Sequence, residues 1–307
     1  MARLFTGGWL SLPVTALHGA KPGPRLWLDA AIHGDELNGM EIIRRVLAVL
    51  DPAKLAGAVI AVPVVNVFGF VQQTRYLPDR RDLNRSFPGS TRGSMAARLA
   101  HLFIEQIVAK CGYGIDLHTG SQHRTNLPQI RAHLADPETR RIAEAFAAPM
   151  MYTAAEIPGS LRAAARKRGV HLLVYEAGEP LRFDEGAIRT GVEGVLRVLA
   201  ALGMWETPDP PGGPAPPRSF EAEEATWVRA TRSGIFHHSA TLGEPVKRHQ
   251  QLGYITAPWG DDAQPVKAPF EGIVIGFTSN PLVYRGDALL HLARRSQGRS
   301  GSRLDSR

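Results

Sequence analysis

Residues 208–217 read PDPPGGPAPP, and six prolines in ten positions cannot form a helix or a central strand. Such a stretch suits a stiff, extended connector. A helix-like pattern over 185–202 precedes it, stopped by Gly203 in the place where a glycine commonly ends a helix. The chain therefore divides into a first domain at 1–207, the connector at 208–217, a second domain at 218–293 and a basic tail at 294–307.

The first domain alternates apolar runs with amphipathic stretches, which predicts an α/β sheet covered by helices on both faces. Strands are expected at 25–32, 58–65, 114–117, 150–153 and 171–175. Asn38 reads as the cap of a helix through Leu50, with Met40, Ile42, Ile43, Val46, Leu47 and Leu50 facing inward. A second helix is expected over 94–110, with Leu99, Leu102, Phe103, Ile107 and Val108 as its apolar stripe. Asp136-Pro137 opens a third at cap and first position, and Gly169 stops a fourth.

The second domain changes character. Short alternating runs broken by Gly, Pro and Asp over 226–292 predict an all-β unit. It contains an echo of itself: GIFHHSATLGEPVKRHQQLGYI and GIVIGFTSNPLVYRGDALLHL each run Gly-Ile, strand, turn, a proline and valine, turn, then a Leu-rich strand. Two similar halves suggest a pseudo-symmetric sandwich or flattened barrel.

Composition excludes several classes. Of the formal charge of +7, four units sit in the last fourteen residues, where five arginines face one aspartate. The +3 left for the remainder forms no basic stripe, and no aromatic-basic recognition motif accompanies it, so no nucleic-acid partner is expected. The tail reads as a solvated, disordered extension. No apolar run approaches the ~20 residues that cross a bilayer, and no signal peptide is visible, which makes the cytoplasm the expected location and a membrane partner unexpected. The single cysteine, Cys111, allows neither an internal disulfide nor a Cys-based zinc ribbon.

Chemistry-bearing residues gather at the carboxyl ends of the expected strands, where open α/β sheets place their sites. His33-Gly34-Asp35-Glu36 follows the first strand directly. His118 ends the third, in Asp116-Leu117-His118-Thr119-Gly120. Two histidines and one carboxylate, with a fourth position open, form the ligand set of a catalytic zinc. Glu176 ends a further strand, followed by Ala177, Gly178 and Glu179. A carboxylate there can take a proton from an activated water and pass it on. Glu179 competes for that role, and the small residues beside Glu176 favour the latter. The loop from Thr74 to Arg85 holds four arginines and no lysine, a composition suited to two-point grip of carboxylates. His101 and Glu105, four apart on a helix, read as a solvated pair, and His237-His238 as surface. His123 is a lesser candidate for touching substrate.

Taken in order, HGDE, TRY…DLNR…PG, DLHTG and YEAGE resemble the succinylglutamate desuccinylase/aspartoacylase family, a branch of the zinc carboxypeptidase fold. The motifs span nearly all of 26–179 and are jointly specific. The resemblance implies a mixed sheet flanked by helices, one zinc ion (Zn2+) held by His33, Glu36 and His118, and Glu176 as general base. It also implies that Arg75 polarises the scissile carbonyl and that Asn84 and Arg85 hold a substrate carboxylate. Asp82 would accept a hydrogen bond from the outer nitrogen of His33. Arg162, in GSLR, matches a segment common in bacterial members and is a second anion contact by the same implication. The second domain resembles the barrel-sandwich of biotinyl and lipoyl carriers, but its hairpin at 257–262, APWGDD, lacks the lysine that a carrier modifies. Lys267 lies instead on the strand beyond, so the domain is expected to be structural: shielding the site or supporting a homo-oligomer.

The expected activity is hydrolysis of an amide in a small carboxylate-bearing molecule, an N-acyl amino acid foremost. A metallocarboxypeptidase would use the same zinc, base and clamp, and a non-catalytic zinc or carboxylate-binding module is the reading from another class.

Overall fold

The computed structural model describes residues 2–3, 7–206 and 219–296. The Pro/Gly connector at 208–217 and most of the basic tail, 297–307, lie outside the described residues. The chain divides into two compact units, Met1–Ser219 and Phe220–Arg307.

In the first unit, besides a short antiparallel pair of Ala2–Arg3 with Trp9–Leu10, the strands of the main sheet are β1 (Thr15–His18), β2 (Lys21–Ala30), β3 (Ala56–Val62), β4 (Tyr113–His118), β5 (Arg124–Arg131), β6 (Met150–Tyr152) and β7 (His171–Gly178). The helices are α1 (Asn38–Val49), α2 (Val67–Gln72), α3 (Met95–Gln106), α4 (Pro137–Phe146), α5 (Leu161–Lys167) and α6 (Glu185–Ala201). The strands lie in the order β6-β5-β7-β4-β2-β3-β1. The centre, β7-β4-β2-β3, is parallel, while β1 and β5 run against β3 and β7. This is a mixed α/β fold.

The central strands are apolar on both faces because both are covered. Leu26, Leu28 and Ala30 of β2 join α1, α4 and α6 in one core, with Ile42, Val46, Phe146, Val195 and Val198. Trp27 points to the other face, into a core with Phe103, Ile104 and Leu161 of α3 and α5. Gly39 lets α1 lie close on the sheet, since a Cβ there would fall 2.6 Å from that of Leu117.

Several expectations need adjustment. Asn38 is the first helical residue of α1 rather than its cap; the cap position is Leu37, with no side-chain bond. The Asn38 amide instead donates to the Ala177 carbonyl at 3.2 Å and accepts from the Asp184 amide at 3.0 Å, tying α1 to the end of β7 and to the cap of α6. Strand β2 stops at Ala30, because Ala31 turns to positive φ (50°) and the chain leaves the sheet. The helix expected over 94–110 ends at Gln106 and gives way to a single 3₁₀ turn, Val108–Lys110. Strands β1 and β5 went unforeseen: β1 is a largely exposed edge without alternation, and β5 carries an internal proline, Pro128, which argues against a strand. No helix among the described residues is long and apolar enough to cross a membrane.

The second unit contains β8 (Phe220–Arg229), β9 (Gly234–His238), β10 (Pro245–Val246), β11 (Gln251–Thr256), β12 (Gln264–Lys267), β13 (Gly272–Thr278), β14 (Leu282–Val283) and β15 (Ala288–Arg295). The last strand runs through Arg294 and Arg295, taking in the start of the segment that reads as a tail. The sequence echo has a structural counterpart. Strand β9 pairs with β11 of its own half and with the short β14 of the other, while β13 pairs with β15 and with the short β10. The halves thus exchange their proline-valine segments, and Phe236, Leu252, Ile255, Val274, Leu289 and Leu292 form a shared core. The hairpin carries an almost fully exposed Trp259 at its tip.

Candidate active site

His33 and Glu36 sit in the turn that follows β2, closed by a hydrogen bond from the Glu36 amide to the His33 carbonyl at 3.1 Å. Gly34 in that turn packs against backbone: a Cβ would lie 1.9 Å from the Gly69 carbonyl carbon. His118 is the last residue of β4, the neighbouring parallel strand. The three side chains meet. Nδ1 of His33 lies 2.8 Å from Glu36 Oε1, and Nδ1 of His118 lies 2.7 Å from Glu36 Oε2. The ring centroids are 5.0 Å apart, and all three residues are buried. Their potential ligand atoms fall within 4.8 Å of one another, making a group that could hold a metal ion.

Each imidazole is also held from behind. His33 Nε2 faces Asp82 Oδ1 at 3.2 Å, and His118 Nε2 faces Asp116 Oδ1 at 2.8 Å. Orientation by an outer carboxylate, with the opposite nitrogen turned inward, is what a metal-binding histidine requires. Asp116 could have been singled out from Asp-x-His, since residues two apart on a strand share a face. Behind it, Asp29 lies opposite Asp116 in the ladder and accepts from Trp27 Nε1 at 2.7 Å. Burial and the Asp116 charge push the Asp29 carboxyl well up, favouring its protonated form.

Arg75 completes the cluster. Its Nε and Nη2 lie 3.2 and 2.8 Å from Asp82 Oδ2, and its Nη1 lies 3.3 Å from Glu36 Oε1. The loop is anchored by buried Asn66, which accepts from the Gly69 amide at 2.9 Å and donates to the Arg75 carbonyl at 3.2 Å. Burial raises the Glu36 pKa, but the two imidazoles more than offset it and hold the carboxylate well below its usual range. Burial likewise works against protonation of His33 and His118, yet the facing carboxylates raise both above the ordinary histidine value. Glu36 and Asp82 face Arg75, and Asp116 stands behind His118; with the imidazoles neutral, as metal ligands must be, a divalent cation would take over the charge balance that their protonation supplies. Two inward imidazole nitrogens and a carboxylate fit zinc.

Glu176 stands beside His118 in the β4–β7 register. It is held by Asn126 Nδ2 at 2.9 Å and Arg131 Nη1 at 2.9 Å, two residues that the sequence reading missed. Glu179 is turned to Arg182 at 2.9 Å. Asn84 and Arg85 occupy a 3₁₀ turn capped by Asp82. Asn84 Oδ1 accepts from the Leu161 amide at 2.8 Å, joining this turn to α5, while Arg85 is exposed and donates to the Asn84 carbonyl at 2.6 Å. Arg162 donates to the Ala155 carbonyl at 2.6 Å; burial and the charge of nearby Arg131 lower its pKa. His123 is exposed, and Glu105 pairs with Arg168 at 2.7 Å.

Comparison with known proteins places this fold in a family. Residues 22–202 match the succinylglutamate desuccinylase/aspartoacylase catalytic domain, and the chain belongs to that family. It is 25% identical over 301 residues to an N-alpha-acetyl-L-2,4-diaminobutyric acid deacetylase from Halomonas elongata, covering 93% of this chain and 86% of that one. The crystal structure of a succinylglutamate desuccinylase/aspartoacylase from Rhodobacter sphaeroides superposes with a TM-score of 0.84 at 30% identity, over 94% of this chain and 90% of that one. The product-bound ectoine utilization protein EutE (DoeB) from Ruegeria pomeroyi shares the fold, with a TM-score of 0.84 at 24% identity and the same coverages, 94% and 90%.

Proposed function

We propose that the chain is a zinc-dependent deacylase that hydrolyses the amide bond of an N-acyl amino acid. The observation that carries this reading is the convergence of His33 Nδ1 and His118 Nδ1 on Glu36, with both outer nitrogens held and Glu176 next in register. His33, Glu36 and His118 would hold the ion. Zinc bound there supplies Lewis acidity, drawing electron density from the amide carbonyl and making water acidic enough to lose a proton near neutral pH.

The chain's own residues do the rest. Glu176 takes the water proton and delivers it to the departing nitrogen. Arg75, locked by Asp82, meets the negative charge that develops on the carbonyl oxygen. Asn84 has its oxygen engaged by Leu161, so its remaining group is the NH2 donor, which suits a substrate carboxylate alongside Arg85. Arg162 is a second anion contact. We assign the catalytic domain to 1–207 and read 218–293 as a barrel-sandwich-like unit with a structural role.

The test is amine release from zinc-loaded protein given a panel of N-acyl amino acids, with Nα-acetyl-L-2,4-diaminobutyrate included because a relative deacetylates it. Release from at least one member, abolished by chelator and restored by zinc, is expected. Shortening of peptides without deacylation would make the enzyme a carboxypeptidase; zinc binding with neither activity would make it a binding module.

A further inference from the structure

Strand β5 carries one residue more than its partner requires. Arg131 faces Val174 of β7 and Gln129 faces Glu176, but the next pair is Asn126 with Gly178, so the register shifts between Asn126 and Gln129. On a regular pleat 131, 129 and 127 would share the Glu176 face and Asn126 would point away. The extra residue turns Asn126 onto that face. Pro128 lies inside the bulge, where its missing N–H costs no ladder bond. Buried Gln129 closes it by donating from Nε2 to the Leu127 carbonyl at 3.1 Å. Bulges beside functional sites commonly re-aim a side chain in this way.

The re-aimed residue reaches Glu176. Asn126 Nδ2 donates to Oε2 at 2.9 Å, and Arg131 Nη1 meets Oε1 at 2.9 Å, so one strand grips both oxygens. Arg131 is 26% exposed and braced against Tyr152, its partner on β6, with the guanidinium carbon 5.8 Å from the ring centroid. A carboxylate held at both oxygens cannot swing, yet each oxygen keeps a lone pair that can receive a proton.

We infer that Asn126 and Arg131 are positioning residues for Glu176, and that the bulge around Leu127 and Pro128 exists to mount Asn126. This rests on Glu176 being the base. Holding a proton carrier within reach matters because a displacement of about 1 Å costs on the order of 10²-fold in rate.

A residue that acts through Glu176 loses its effect once Glu176 is gone, and a double-mutant cycle reads that directly. Asn126→Leu, Arg131→Ala and Glu176→Gln are made singly and in pairs, in zinc-loaded full-length protein, with the N-acyl amino acid turned over fastest in the panel. Asn126→Leu and Arg131→Ala should each lower kcat by about 10–100-fold with KM within about twofold. Neither should lower it further in the Glu176→Gln background. Added guanidinium should restore turnover to Arg131→Ala and not to Glu176→Gln. A raised KM with kcat intact would make Arg131 a substrate contact, and additive losses would make the pair merely structural; either overturns the proposal. Should Arg131→Ala be insoluble, the Asn126→Leu cycle decides alone. Wild-type turnover in Glu176→Gln would sink the base assignment, whatever Arg131 does.

Discussion

Glu36 uses both carboxylate oxygens on imidazole nitrogens and takes Arg75 as well, so it links the turn after β2, the end of β4 and the arginine loop. Asp82 does the corresponding work behind His33, holding imidazole and guanidinium on separate oxygens. Because Arg75 is fixed in place before any substrate arrives, Arg75→Ala should lower kcat by about 10²-fold or more with a smaller change in KM, as for loss of a group that acts in the transition state. Exposed Arg85 should behave oppositely, its alanine variant raising KM in steady-state kinetics with kcat largely kept. Cys111 is buried, and burial pushes its thiol up to about 11. It should resist iodoacetamide at pH 8 in folded protein and be alkylated after denaturation, as mass spectrometry would show. His33, Glu36, His118 and Glu176 were legible as candidates because each ends or follows an apolar run. Asn126 and Arg131 were not, because Pro128 hides the strand that carries both, and a period-two reading of 124–131 would still send Asn126 to the wrong face.

At the scale of elements, two asparagines show where local reading stops. Asn38 precedes an amphipathic run and so reads as a helix cap, but its amide bridges α1 to the end of β7 through contacts some 140 residues away in sequence. Asn84 makes a similar long-range bond, to the first helical amide of α5. Asn84→Ala should therefore cost about 1 kcal/mol, the usual net worth of such a bond, apart from any effect on KM. A lower urea midpoint with unchanged slope would show it; an unchanged midpoint would mean that water replaces the bond fully. The central parallel strands could be read as continuous apolar runs because both sheet faces are covered, and α1, α3, α4 and α6 from the apolar stripe that packing on the sheet enforces. The edge β1 and the bulged β5 could not. An exposed edge imposes no alternation, and Pro128 argues against a strand until its place between ladder pairs is known.

For the whole molecule, the candidate metal ligands come from separate segments that the sheet brings together, so bound zinc should stabilise the fold by mass action. At about 100 times its dissociation constant a ligand of the native state adds ~2.7 kcal/mol. Thermal melts of the wild type should rise with zinc and fall with chelator, and His118→Ala should melt alike in both. The all-β character of the second unit was visible in its short broken runs and in the echo of the two halves, whereas their exchange of short strands depends on pairings that no local pattern specifies. The metal group and the carboxylate beside it must act together, and one comparison tests that junction: amine release and zinc content of wild type, Glu176→Gln and Glu179→Gln, measured side by side. Glu176→Gln should keep about one zinc per chain and lose ~10²–10⁴-fold in rate, while Glu179→Gln, turned toward Arg182, keeps most of its activity. Full turnover by Glu176→Gln with zinc still required, or loss of zinc from that variant, would contradict the account.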